Sequence, residues 1–446
     1  MYYEESKMTS KIKIIIHRGT HVIGGSCIEI CSAKSRIILD LGLPLMARDG
    51  AELDAKAVAE PSIENGVLPR VEGLYAFQKP AVDAVILSHP HIDHYGLMDY
   101  VHPEIPIYLS GESQTLIEVG NVFFPPAMLQ KNMLGHCKNF KHWTPFTIGD
   151  FTITSYLMDH SAFGASSLLI ECEGKKIFYT GDFRGHGRKA KLFEKLIANP
   201  IPGIDCLLME GTTMGGTHHV KFSTEVEVED AMCEVFAKQQ DLSFMISAGS
   251  NIDRIVSIYK AAEKAKKTLV LDLYQIYLLD QLKEFAPGLP PHLNDSVRVL
   301  YIGSHTKSIA DKLGKQVLYD YKSRKINEDE ILKNRKDMVL RIPLSRMFKL
   351  ADTLHKEQSL QNSQFIYSMW PGYISRNPKF NEFCSNYQTP LKEIHTSGHA
   401  YIHDLKRLAQ ALNPKALLPI HTLSGDEFKN HFDNVVRIDD GKEFEI

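Results

Sequence analysis

Four potential metal ligands fall within six residues, His89-Pro90-His91-Ile92-Asp93-His94, directly after the apolar stretch Ala84 to Ser88. That stretch reads as a strand. His89 then ends the strand, His91 lies in the following loop, and Asp93 and His94 open the next helix. One short segment thereby aims four donors into one cavity, which few roles other than metal binding require. A dinuclear centre acting on a hard, phosphate-like substrate needs imidazole nitrogens and carboxylate oxygens, best with one carboxylate bridging ions roughly 3.5–4 Å apart. The fold must therefore bring further ligands to the end of that strand.

Candidates stand at suitable places. His160, Asp182, Glu210 and His421 each follow an apolar run, at its C-terminal end, and Asp40 ends Arg36-Ile37-Ile38-Leu39 in the same way. A lone histidine after a strand is more often a hydrogen-bonded structural residue than a ligand. The neighbouring cluster is what favours the ligand reading here.

The organisation of the chain fits such convergence. Up to about Glu210 it reads as short strands, Ile12 to His17, Ser26 to Cys31, Arg36 to Leu39, Ala84 to Ser88, Phe151 to Leu157, Ser166 to Glu171, Lys176 to Thr180 and Cys206 to Met209. Helical stretches such as Gly96 to Val101 and Lys189 to Ala198 lie between them, as outer cover for a sheet sandwich. From Ser223 helices and strands alternate, beginning with a capping-box signature at Thr224 and Glu227. The strands Leu242 to Ser247, Thr268 to Leu273, Val297 to Ile302, Met338 to Pro343 and Gln364 to Ser368 imply a parallel sheet wound by helices. The chain has 446 residues, which also favours more than one domain. The expected division is 1–214, an inserted α/β domain at 215–370, and a return to the first domain at 371–446.

Composition excludes some classes. A formal net charge of -3 argues against a surface that grips nucleic acid by a general excess of Lys and Arg, while leaving room for a local basic groove. The seven cysteines are scattered, without a CxxC pair, which suits a reducing compartment. The polar N-terminus lacks an apolar core segment, and no later run approaches the roughly 18 residues needed to span a bilayer. A cytoplasmic location without membrane association is the expectation.

The motif series His89 to His94, His160 and Asp182, together with Gly24-Gly25-Ser26-Cys27-Ile28 and Asp40-Leu41-Gly42, resembles that of the metallo-β-lactamase superfamily. The later motifs His395-Thr396-Ser397-Gly398-His399-Ala400 and Pro419-Ile420-His421 are similar to signatures of its β-CASP nucleases, including ribonuclease J-like enzymes. The resemblance implies an αββα sandwich with an inserted β-CASP domain and a metal-dependent hydrolase that cleaves RNA phosphodiester bonds. It further implies two Zn²⁺ per chain, with Mn²⁺ as an alternative. His89, His91, His160 and Asp182 would hold one ion, and Asp93, His94 and the bridging Asp182 the other, completed by His421. Glu210, His399 and His421 match that family's acidic, second and third motifs. Members acting on RNA typically carry His at the last position, whereas the DNA-repair branch that includes Artemis typically carries Val. Single-stranded RNA is thus the expected partner and DNA the alternative; a third reading is an inert RNA-binding or complex-forming subunit, although every ligand position is filled. No feature indicates a homodimer.

In this reading the ions lower the pKa of a water, Asp93 orients it, and His399, held in its tautomer by Glu210, protonates the leaving oxygen. Phosphate contacts are expected from Asn251 and Arg254, in the strand-to-helix segment Ser247 to Arg254, and from Thr396, Ser397 and Gly398. An ordinary helix cap at Ser250 or Asn251 is an equally good account of the first segment. Arg184, His186, Arg188, His218 and His219 are candidates for the substrate entrance. A further zinc site at His136, Cys137 and His142 is disfavoured by its spacing. The basic stretch Lys322, Arg324, Lys325, Lys333, Arg335 and Lys336, broken by Glu328, Asp329 and Glu330, reads as a charged exterior.

Overall fold

The computed structural model describes residues 11–46, 53, 55–125, 128–216, 221–290, 294–357, 360, 362–375, 378–387 and 391–446. His218 and His219 lie outside these residues.

The first strands show why the chain begins as a sandwich. In β1 (Lys13–Arg18) buried and half-exposed residues alternate with period two, placing Ile14 and Ile16 on the inner face. β2 (Cys27–Cys31) and β3 (Arg36–Leu39) follow antiparallel, then β4 (Ala84–Ile86), β5 (Ile107–Ser110) and β6 (Cys137–Phe140) in parallel. The second sheet is built from β7 (Phe146–Ile148), β8 (Phe151–Leu157), β9 (Ser166–Cys172), β10 (Lys175–Tyr179) and β11 (Cys206–Glu210). Ile14, Ile16, Ile37 and Ile86 of one sheet pack on Ile153, Leu168, Ile177 and Leu208 of the other. Each such fully buried side chain stabilises the fold by roughly 1.5–3 kcal/mol. Helices cover both outer faces, Ala190–Ala198 and Ile402–Leu412 lying against the second sheet.

The inserted domain carries β12 (Ser243–Ile246), β13 (Thr268–Asp272), β14 (Val297–Leu300), β15 (Lys325–Ile326), β16 (Met338–Arg341), β17 (Gln364–Tyr367) and β18 (Leu391–Glu393). All pair in parallel, in the order β15-β14-β13-β16-β12-β17-β18. The strands β12, β16 and β17 are buried at every residue, as expected where helices cover both faces of a sheet. This sheet continues past residue 370 to Glu393. β19 (Ala416–Ile420) then returns beside β11, and β20 (Glu443–Glu445) pairs with β1.

Local caps follow the sequence with one difference. Thr224 does accept from the Glu227 amide, but the Glu227 carboxylate reaches back to the Ser223 amide and hydroxyl instead of closing the box on Thr224. Of the basic stretch, Arg335 is buried against Asp241, while Lys322, Lys325, Lys333 and Lys336 lie exposed. Among the described residues no helix is long and apolar enough to cross a membrane.

Candidate metal centre

Strand direction explains the site. β3, β4, β8, β10, β11 and β19 all end at one edge, and Asp40, His89, His160, Asp182, Glu210 and His421 stand on or just beyond those ends. Asp93 and His94 arrive on the short helix Ile92–Tyr95, which is held against the first strands by the Ser26 amide on the Asp93 carbonyl (3.1 Å) and the Leu41 amide on that of His94 (2.8 Å). Gly42 makes this approach sterically allowed, since a Cβ there would lie 1.7 Å from the Asp93 carbonyl oxygen.

Candidate ligand groups meet at one carboxylate. His89, His91, His160 and Asp182 make one, Asp182 stands again with Glu210, His399 and His421, and Asp93, His94 and His421 make a third beside them. His91 Nδ1 lies 3.2 Å from His89 Nε2 and 3.1 Å from His160 Nε2. Asp182 Oδ2 stands 3.6 Å from His89 Nε2 and 3.2 Å from His94 Nε2, while Oδ1 is 3.7 Å from His421 Nδ1. His421 Nε2 meets Asp93 Oδ2 at 3.2 Å. His94 Nε2 and both oxygens of Asp182 are buried with no hydrogen-bond partner. Buried polar atoms are rarely left unpaired, and imidazole and carboxylate donors in this grouping fit divalent metal ions.

The surrounding residues fix which nitrogen each histidine presents. His94 Nδ1 contacts Asp40 Oδ2 at 2.7 Å, leaving Nε2 for the centre. Asp40 is held in turn by the Ser88 amide (2.7 Å), the Ser88 hydroxyl (2.7 Å) and the Tyr179 hydroxyl (2.5 Å). His160 Nδ1 reaches the Gly398 carbonyl at 2.5 Å, and His421 Nδ1 contacts the Thr212 hydroxyl at 2.9 Å. Asp40 and His421 both adopt left-handed backbone, with φ of 60° and 50°. Left-handed backbone is uncommon outside glycine, though Asp and His adopt it more readily than most residues.

Electrostatics separate the two groups. Burial drives the His89 and His160 imidazoles well below their usual range and His91 down to about 4, so all three stay neutral lone-pair donors. Burial also opposes charge on His94, but the Asp182 and Asp40 carboxylates outweigh it and raise its pKa. Burial would raise the Asp182 carboxyl, yet His421, His94 and His399 hold it well below the ordinary carboxylate range. For His399 burial is outweighed by Asp182 and Glu210, which push it up to about 9.

His399 sits at the rim, its Nδ1 3.6 Å from Asp182 Oδ2 and 3.6 Å from Glu210 Oε1. The second distance is that of an ion pair and is too long for a hydrogen bond. Glu210 uses its oxygens to accept from the Ala400 amide (3.1 Å) and the Thr212 amide (2.9 Å). It thus anchors the loop that carries His399 and places a charge behind it.

The expected phosphate contacts are only partly brought to this cavity. Arg254 is fully buried, its guanidinium bound to Glu225 at 2.7 and 3.1 Å and to the carbonyls of Ser368 and Thr396, so it has no free face for a substrate. Asn251 caps the helix Ile252–Lys264 by accepting from the Arg254 amide. Thr396 is buried with its hydroxyl on Tyr401 (2.9 Å). Ser397 and Gly398 are half-buried beside His399. Arg184 and Arg188 make contacts between the domains, to Asp253 and Glu229, while the buried His186 meets the Ser397 carbonyl and stacks on Tyr401; all three leave the substrate entrance to other residues. His136 and His142 bind the Ile105 carbonyl and the Ser155 hydroxyl and join no ligand group among the described residues. Sequence reading missed Ser88, Tyr179 and Thr212, which hold the ligands, and Glu225, whose only sequence signal is its place in the first turn after the Thr224 cap.

Comparison with known proteins agrees with this architecture. Residues 68–239 match the model of the beta-lactamase superfamily domain. The chain is 23% identical over 433 residues to a ribonuclease J of Helicobacter pylori, an alignment covering 92% of this chain and 56% of the relative. It thus spans little more than half the length of that relative. It is 27% identical over 204 residues to an RNase J-like protein of Methanocaldococcus jannaschii, covering 44% of this chain and 41% of that one. A crystal structure of a protein of unknown function from Enterococcus faecalis V583 superposes with a TM-score of 0.78 at 22% identity, covering 98% of this chain and all of that one. The resemblance to β-CASP nucleases and the expected sandwich with an inserted parallel-sheet domain are borne out.

Proposed function

We propose that this chain hydrolyses RNA phosphodiester bonds at a dinuclear centre, with two Zn²⁺ as the resident ions and Mn²⁺ as the alternative. The observation that carries the reading is the place of Asp182 between two histidine sets, 3.6 Å from His89 Nε2 and 3.2 Å from His94 Nε2, with His399 beside it. His89, His91, His160 and Asp182 would hold one ion, and Asp93, His94, His421 and Asp182 the other. Bound there, the ions supply Lewis acidity toward a phosphoryl oxygen and lower the pKa of water. Asp93 directs the attacking water by accepting a hydrogen bond from it. His399, at the rim and anchored by the loop that Glu210 fastens, donates a proton to the leaving oxygen. Ser397 and Gly398 border the same cavity and contact the scissile phosphate.

RNA as substrate is supported by His421 and by the names of the relatives. A reducing, cytoplasmic setting is proposed with it, in keeping with the free thiols Cys27, Cys31, Cys137, Cys172, Cys206 and Cys233. The test compares 5′-labelled RNA with DNA of the same sequence, each with Zn²⁺ or Mn²⁺, and maps the products. Preferential cleavage of RNA is expected. A strong preference for DNA would replace RNA as the substrate, and RNA binding by metal-free protein without cleavage would make the chain a binding subunit.

A further inference from the structure

Two arginines with no exposed surface, one from each domain, meet beneath the loop that carries His399. Arg184 belongs to the sandwich, two residues after Asp182, and Arg254 to the first turn of an inserted-domain helix. Glu225, also fully buried, joins them: it accepts from Arg254 Nε at 2.7 Å and lies 3.4 Å from Arg184 Nη1. Asp253 receives Arg184 Nη2 at 2.7 Å and Lys189 Nζ at 2.7 Å, and the buried Asp159 lies 3.4 Å from Arg184 Nε, so three cations face three carboxylates across the boundary.

Each guanidinium group also donates to the backbone of the loop that carries His399. Arg184 Nη1 donates to the Ser397 carbonyl at 2.9 Å, and Arg254 Nη2 to the Thr396 carbonyl at 3.3 Å. Arg254 Nη1 also contacts His395 Nδ1 at 3.1 Å and donates to the Ser368 carbonyl at 3.0 Å. The next residue's carbonyl, that of Gly398, receives the His160 Nδ1 hydrogen, and the His399 amide donates to the Ser397 hydroxyl at 3.0 Å. A shift of this loop therefore moves both a metal ligand and the proton donor. A planar guanidinium with five fixed donors can hold two partners and a carbonyl at once, which an ammonium cannot do with the same geometry.

We propose that Arg184, Glu225 and Arg254 form a positioning relay that transmits the docking of the inserted domain to His399 and His160. The relay deepens the reading of this centre as an RNA-cleaving one. None of the three residues hydrogen-bonds a candidate ligand side chain, and the relay reaches His160 only through the Gly398 carbonyl, so metal occupancy is measured beside the rate.

The test uses the metal-loaded full chain with Arg254→Lys and Arg184→Lys, and with the near-isosteric Glu225→Gln in case a lysine variant does not fold. Hydrogen exchange of the amides in 395–401 is expected to quicken by about tenfold or more while the core strands are unchanged. On RNA, kcat is expected to fall about 10²-fold, as for a displacement of about 1 Å, with KM within about twofold and metal content unchanged. Unchanged exchange with unchanged kcat overturns the relay. So does a raised KM with kcat intact, which would return Arg254 to the substrate, or a loss of kcat that merely follows loss of metal. Should the wild-type chain cleave no RNA, the proposed activity fails alone and the exchange measurement still decides the relay.

Discussion

Asp40 and His94 lie 2.7 Å apart, carboxylate oxygen to Nδ1, and both are buried completely or nearly so. The pair fixes the imidazole so that Nε2 points at Asp182, 3.2 Å away. Asp40 joins no candidate ligand group, yet the orientation of the His94 ring depends on it.

Asp40→Asn is therefore expected to keep the fold and to weaken metal binding by about 10–100-fold, the usual consequence of losing such a partner. Competition with a chromophoric chelator measures it. Unchanged affinity would show that His94 is oriented by packing alone.

His399 lies 3.6 Å from Asp182 at the rim of the centre, grouped with Glu210 and His421, and serves there as proton donor in the proposed reaction. His399→Ala is expected to retain nearly full metal content while RNA cleavage slows by about two to four orders of magnitude. Metal analysis beside single-turnover kinetics separates the two effects. Equal activity would remove the proton-donor role.

Both expectations begin from residues that were legible in one dimension, and the reason is local. Each of His89, His160, Asp182 and His421 follows an apolar run, and a strand end is where a side chain can leave the sheet and face a cavity. The strands themselves could be read because β1 alternates with period two and the inserted sheet is continuously apolar. The short β5, β6, β7 and β18, of three or four residues each, offer too little pattern to read. The role of Arg254 could not be read either. A basic residue at a helix start looks the same whether it awaits a phosphate or braces a buried acid, and only the fold puts Glu225 against it. The same holds for Ser88, Tyr179 and Thr212, whose partners are set by sheet pairing and not by spacing.

Acid sensitivity tests a contact far from the centre. Glu29 is 4% exposed and receives His17 (2.8 Å), the Cys31 thiol (3.0 Å) and Arg36 Nε (2.8 Å). Burial raises its pKa, but His17, Cys31 and Arg36 outweigh burial and lower it from 4.5 to about 2. The unfolded chain then binds the extra proton first, so this stabilisation is complete above about pH 4.5 and is lost as the pH falls toward about 2. Glu29→Gln is expected to lower stability near neutrality by at most about 3 kcal/mol, with the difference from wild type shrinking below pH 4.5. Urea unfolding of both proteins in chelator, across pH 2–7, checks it. A pH-independent difference would mean that Glu29 acts through packing.

The central claim is that one shared carboxylate makes two ligand groups into a single RNA-cleaving centre. Stoichiometric addition of Zn²⁺ to chelated, metal-free protein, with RNA cleavage followed at each step, tests it most directly. Cleavage that climbs steeply toward two equivalents per chain and then levels is the expected result. Full cleavage at one equivalent, or cleavage by the metal-free chain, would contradict it.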